Sequence, residues 1–181
     1  MRFQPVKHPE DTHLQDLYSD MIECGMQGAE EGVPLNAFTH MGERPDLLQG
    51  VWDITKGVAL QGQMPPTVKH MIAMTIAMQN DCDYCTVGHT NALEAMGVPT
   101  EVIERCASDP ELADVPPPQR AMLKFALKIA RDAQSVGEED FVSLRDHGLS
   151  DEEIIEVIMT AAWSNLINTW AAVSRVPLDS E

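Results

Sequence analysis

The sequence predicts an all-α fold. Aromatic residues make up only 5% of the 181 positions, whereas Met (11) and Ala are frequent. Such a composition favours helices over sheets, which draw on aromatic and β-branched side chains. Apolar residues recur at i, i+3 and i+4 in one stretch after another. No pair of alternating runs flanks a two-residue hairpin turn.

The elements follow in order. Asp11 or Thr12 starts a helix through Leu14, Leu17, Tyr18, Met21 and Ile22, which Gly28, Gly32 and Pro34 end. Pro45 fits the first turn of a second helix, with Leu47, Leu48, Val51, Trp52 and Ile54 as apolar positions. Pro65 and Pro66 open a third, bearing Val68, Met71, Ile72, Thr75 and Ile76. Asn80 or Asp81 is the expected N-cap of a fourth, running to about Met96. Gly97-Val98-Pro99 stops it, and a short helix through Val102, Ile103 and Cys106 follows. Val115 to Pro118 reads as a loop. Met122, Phe125, Ala126, Ile129 and Ala133 form a helical stripe, and a short helix through Phe141 and Leu144 reaches Gly148. Ser150-Asp151-Glu152-Glu153 is a capping box opening the last long helix. Leu93 to Gly97 and Leu144 to Gly148 repeat one pattern, a helix stopped at a left-handed glycine.

A chain of this length with 44% hydrophobic residues can bury a core as one structural unit. A helical extension over residues 1–33 is expected to precede a main domain over 34–181. A formal net charge of -17 argues against nucleic acid, which needs cations on its phosphates, and against an anionic membrane surface. The first ten residues lack the apolar core of a signal peptide. The run from Ile154 to Val173 is interrupted by Glu156, Ser164, Asn165 and Asn168, so it reads as a buried helix or an oligomer contact rather than a membrane span. A cytoplasmic location is expected, where thiols stay reduced and a Cys-x-x-Cys is catalytic or metal-binding rather than structural.

The chemistry concentrates in Cys82-Asp83-Tyr84-Cys85-x-x-x-His89. On a helix Cys85 and His89 lie on one face, four residues apart, so the imidazole can deprotonate that thiol. Cys82, three residues from Cys85, is placed to close a disulfide with it after local adjustment. The unpaired N–H groups of a helix start lower a thiol pKa, which favours redox chemistry over half a zinc site. Asp81 and Asp83 cap the helix and oppose a nearby thiolate. His70 can face the thiols if its helix pairs with the next, although its spacing alone suits a surface position beside Lys69. Cys24 and Cys106 read as small core residues. Trp52, Trp163 and Trp170 read as packing, and His8, His13, His40 and His147 receive no role.

These residues resemble the carboxymuconolactone decarboxylase-like superfamily, in its alkylhydroperoxidase D-like, peroxidase-related branch. The likeness includes Ala92 and Gly97 after the motif, Arg44 to Leu48 upstream and Gly148 to Ile154 downstream. It closes with Asn165-Leu166-Ile167-Asn168-Thr169-Trp170 and covers the chain from about Pro34 to Pro177. The resemblance implies an alkylhydroperoxidase D-like helical bundle that assembles into dimers, trimers or hexamers. It implies a thiol-dependent peroxidase or disulfide reductase acting on hydrogen peroxide or organic hydroperoxides. Cys85 would attack, Cys82 would resolve the sulfenic acid, and His89 would relay protons. No nucleotide-binding glycine motif appears and no cofactor is implied, so a separate thiol or dithiol donor restores the pair. The family's relay carries a glutamate twelve residues before the first cysteine, where this chain has His70. That departure implies an altered pH profile or a weakened peroxidase. The alternative is a metal-binding or regulatory member of the fold. Cys82, Cys85, His89 and His70 have the ligand types for zinc, although the two-turn gap from Cys82 to His89 is awkward for one tetrahedral ion.

Overall fold

The structure is a computed structural model that describes residues 3–109 and 114–179. Residues 1–2, 110–113 and 180–181 of the two expected segments lie outside the described residues. The fold is all-α, and among the described residues the only β pairing is an isolated bridge between Gln27 and Pro34. Nine α-helices succeed one another among them. They are α1 (Thr12–Glu23), α2 (Asn36–Thr39), α3 (Pro45–Thr55), α4 (Pro66–Gln79), α5 (Asp83–Ala95), α6 (Thr100–Ser108), α7 (Pro117–Asp132), α8 (Glu138–Asp146) and α9 (Asp151–Ser174).

Local chemistry explains most boundaries. Asp11 caps α1, its carboxylate accepting the Leu14 N–H at 2.8 Å. The Ser150 hydroxyl and Glu153 carboxylate exchange hydrogen bonds with each other's backbone at the start of α9. The glycine repeat closes α5 and α8 in the same way. Gly97 (φ +77°) and Gly148 (φ +86°) take the left-handed conformation. Val98 N–H then reaches Leu93 C=O and Leu149 N–H reaches Leu144 C=O, two copies of one helix stop.

Two boundaries differ from expectation. Pro117 and Pro118 are helical and not part of a loop, because the first turn of α7 has no intrahelical use for the N–H groups that proline lacks. The start of α5 also moves. Asp81 (φ +51°) turns the chain left-handed, and Cys82 N–H bonds back to Ala77 C=O. Cys82 itself thereby becomes the N-cap residue, in place of Asn80 or Asp81. The four-residue α2 and a π-helical turn over Lys56–Leu60 carry no periodic pattern and were not foreseen.

Two apolar clusters form the core, with α4 and α9 running through both. One gathers Val68, Ile72, Leu93, Leu123, Leu144 and Val157, all nearly inaccessible. The other gathers Leu14, Met21, Leu48 and Trp52 with Ala77, Cys82, Cys85 and Ala171. Residues of α1 thus share a core with the thiols. The last helix buries Ile154, Val157, Ala161, Ile167 and Ala171, while Ile155, Met159, Leu166 and Val173 remain exposed along its other side. Among the described residues, no helix is long and apolar enough to cross a membrane.

Candidate active site

The site is built on the hairpin of α4 and α5, joined by the tight turn at Asn80–Cys82. Asn80 fastens that turn to the last helix through a 2.8 Å bond from its Nδ2 to Asn165 Oδ1. Asn165 in turn donates to Ala130 C=O of α7 at 3.3 Å. The turn is therefore tied to two neighbouring helices before its chemistry is considered.

Cys82 and Cys85 are free thiols whose sulfurs lie 2.7 Å apart, with exposures of 3% and 4%. The two sulfurs share a hydrogen bond. That bond, helped by the Cys85 backbone N–H, lowers Cys82 to about 7 against the opposing effects of burial and Asp83. The same hydrogen bond, together with burial and the charge on Cys82, pushes Cys85 up. A thiolate at the N-cap also faces the unpaired amides of the first turn, so the direction for Cys82 has a structural basis.

The histidines form the second half of the site. His70 and His89 sit on facing helices, one on each arm of the hairpin, and meet Nδ1 to Nδ1 at 3.0 Å. Their ring centroids are 5.2 Å apart, edge to face. One Nδ1 must carry a hydrogen and the other its lone pair, so the contact exists only when the pair is not fully protonated. Burial, with His70 adding to it, pushes His89 down to about 3. Burial lowers His70 as well. Both rings are neutral at neutral pH.

The structure thus brings the four predicted residues to one hairpin, but as two pairs. His89 turns toward His70 and makes no hydrogen bond to Cys85. Among the described residues, no three His, Cys, Asp or Glu side chains converge on a point that could hold a metal ion. His70 is half-buried in a helix contact instead of on the surface, and its neighbour Lys69 is buried. Lys69 Nζ donates to Val58 C=O at 2.8 Å and to Gln61 C=O, and lies 3.5 Å from Glu156. This cation satisfies carbonyls that the π-helical turn leaves open.

Three further residues shape the site. Trp163 packs edge-on against His89 with centroids 6.1 Å apart, and its Nε1 donates to Thr55 Oγ1 at 3.0 Å. Tyr84, between the cysteines, accepts the Ala37 N–H at 3.1 Å, and burial followed by the Asp179 carboxylate raises its phenol. Asp179 also accepts the Asn36 N–H at 2.6 Å, holding the start of α2. Trp163 and Tyr84 were expected to pack or passed over. Their partners lie far away in sequence, so no local spacing marks them.

Fold and site define an all-α protein with an alkylhydroperoxidase core architecture. A sequence model of the Carboxymuconolactone decarboxylase family matches residues 45–128, from α3 through most of α7. Over those residues the chain matches the family's model, and its fold is that of an alkylhydroperoxidase AhpD core. It is similar to an uncharacterized peroxidase-related protein with an alkylhydroperoxidase AhpD core from Ralstonia eutropha JMP134. That likeness has 28% identity and a TM-score of 0.80, over 97% of this chain and 93% of that one. A peroxidase-related protein from Silicibacter sp. TM1040 is 21% identical with a TM-score of 0.80, over 98% and 94% of the two chains. The debrominase Bmp8 shares the fold at 21% identity and a TM-score of 0.77, over 96% and 90%. Comparison with curated proteins returned no match.

Proposed function

We propose that the chain is a thiol-dependent peroxidase in which Cys82 and Cys85 reduce hydrogen peroxide or a small organic hydroperoxide. The observation that carries this reading is the pair of free, buried sulfurs 2.7 Å apart at the start of α5. A disulfide needs about 2 Å, so closure asks little of the backbone. The match to the family's model and the likeness to a peroxidase-related protein support peroxide as the oxidant.

The reaction balances on these groups. The Cys82 thiolate attacks one peroxide oxygen, the O–O bond breaks, and the departing alkoxide or hydroxide takes a proton. Cys82 becomes a sulfenic acid, the reversible rung of thiol oxidation. The Cys85 sulfur then displaces water from it and forms the disulfide. Two thiols and one hydroperoxide yield a disulfide, an alcohol (or water) and water. A separate dithiol, oxidised in exchange, returns the pair to its reduced form. Attack by Cys82 departs from the order that spacing suggests; the lowered pKa of Cys82 and the turn of His89 toward His70 favour it. The imidazole pair is assigned the proton delivered to the departing oxygen.

The reading extends to the setting of the reaction. A reducing cytoplasm keeps the thiols ready, and the exposed stripe of Ile155, Met159, Leu166 and Val173 supports assembly into a homo-oligomer. The test is peroxide turnover with a panel of dithiol donors for the wild type, Cys82→Ser and Cys85→Ser, with sulfenic acid trapped by dimedone. Cys85→Ser should accumulate adduct on Cys82, and Cys82→Ser should accumulate none. Adduct on Cys85 instead would reverse the order of attack. Unchanged turnover in both variants would remove the thiols from the reaction. Tribromopyrrole belongs in the substrate panel because the same fold serves a debrominase. Its reduction without peroxide turnover would replace the reading.

A further inference from the structure

The sulfurs of Cys82 and Cys85 touch at 2.7 Å, although the turn that presents them is poorly secured from within. Cys82 caps α5 without a side-chain hydrogen bond, whereas Asp11 and Ser150 cap α1 and α9 with one. Asp81, just before it, holds a left-handed φ of +51°, a conformation costly for a residue with a side chain. Contacts from elsewhere in the fold complete the turn. The Asn80–Asn165 bond fastens it on the side before the cysteines.

Tyr84 fastens it between them. Its ring packs against the apolar cluster that contains both cysteines. Its hydroxyl accepts the Ala37 N–H at 3.1 Å and hydrogen-bonds to the Asp179 carboxylate. The phenol oxygen thus has a donor and an acceptor. The bond to the carboxylate is charge-assisted and is the stronger of the two. Asp179 is itself fixed from the side of α2. It accepts the Asn36 N–H at 2.6 Å, while the Asn36 side chain donates to the carbonyls of Pro177 and Leu178.

We propose that Asp179 is a positioning residue for the sulfur pair: through the Tyr84 hydroxyl it holds the first turn of α5 so that Cys82 and Cys85 stay in contact. This role rests on the thiol reading of the site, yet it is read out in the ionisation of Cys82 and needs no peroxide. The hydrogen bond with Cys85 is the largest influence lowering Cys82 from an ordinary 9 to about 7. That bond weakens steeply with distance and misalignment. Releasing Tyr84 lets the first turn shift, the sulfurs part, and the Cys82 thiolate loses its partner.

The test is iodoacetamide labelling of Cys82 against pH in the reduced full chain, read by peptide mass mapping. The wild type is compared with Asp179→Ala, Asp179→Asn, Tyr84→Phe and the double variant Tyr84→Phe with Asp179→Ala, and urea midpoints are measured on the same samples. Asp179→Ala and Tyr84→Phe should each move the labelling midpoint from about 7 toward 9 and slow labelling at pH 7 several-fold. Asp179→Asn keeps an acceptor for the hydroxyl and should stay at the wild-type midpoint. The double variant should match Tyr84→Phe, because Asp179 acts through that hydroxyl. Where Asp179→Ala does not fold, Tyr84→Phe carries the same comparison. A lowered urea midpoint with labelling still centred near 7 would make Asp179 a structural residue only and overturn the proposal. So would a wild-type midpoint already near 9, equal shifts in Asp179→Asn and Asp179→Ala, or additive shifts in the double variant. Absence of peroxide turnover in the wild type would remove the peroxidase reading, while labelling would still decide the role of Asp179.

Discussion

His70 and His89 meet through their Nδ1 atoms, 3.0 Å apart across the α4–α5 hairpin. Two imidazoles in this arrangement share one hydrogen between the facing nitrogens. Burial keeps both from charging, so the pair can pass a proton but supplies no negative charge to stabilise an imidazolium.

His70→Glu should therefore strengthen the relay. A carboxylate beside His89 favours its charged form and raises its pKa toward the neutral range. The expected outcome is faster peroxide turnover near neutrality, with the pH–rate profile displaced from that of the wild type. Turnover measured from pH 5 to 9, alongside an NMR titration of His89, checks this. Identical profiles would mean that His70 has no part in proton transfer.

Acid stability follows from His89 with a definite sign. Its folded pKa of about 3 lies below the ordinary 6.5, so between these values the unfolded chain binds more protons than the folded one. The stabilising contribution is complete above pH 6.5 and is lost progressively as the pH falls toward 3. The urea midpoint of the wild type should drop between pH 7 and 4.5, and that drop should be smaller in His89→Gln. Equal drops would show that His89 titrates normally.

Reactivity of the thiols should divide by position. With Cys82 lowered to about 7 and Cys85 raised, iodoacetamide should alkylate Cys82 first in the reduced protein. Its rate should climb with pH through a midpoint near 7. Peptide mass mapping at partial labelling reads this directly. Preferential labelling of Cys85 would contradict the shared-proton arrangement.

Lys69→Met tests the support beneath His70. The substitution strips the π-helical turn of its cation and leaves Glu156 without that charge. Loss of one member of a buried pair costs about 3 kcal/mol. Urea unfolding at pH 7 should report a loss of that order, and an unchanged midpoint would mean that water takes over the freed groups.

Much of this architecture was legible in the sequence, for local reasons. Asp11, Pro45, Pro66 and the Ser150 box mark helix starts because each satisfies or lacks a particular backbone N–H. The pairing of His70 with His89 was half legible. They lie on the two arms of the hairpin, but spacing alone could not say that the rings face each other. The start of α5 was misread because a left-handed Asp81 decides it, and an aspartate can cap or turn with equal ease. Trp163 and Tyr84 touch partners more than forty residues away, which only the packed fold brings together.

Tyr84 has one more consequence. Its hydroxyl holds Ala37, Asn36 holds Asp179, and the Asn36 side chain donates to Pro177 and Leu178 C=O at 3.3 and 3.2 Å. Residues 177–179 are therefore masonry in the wall behind the cysteines rather than a trailing end. A fusion or truncation there disturbs the housing of the sulfurs as directly as a change within the hairpin itself.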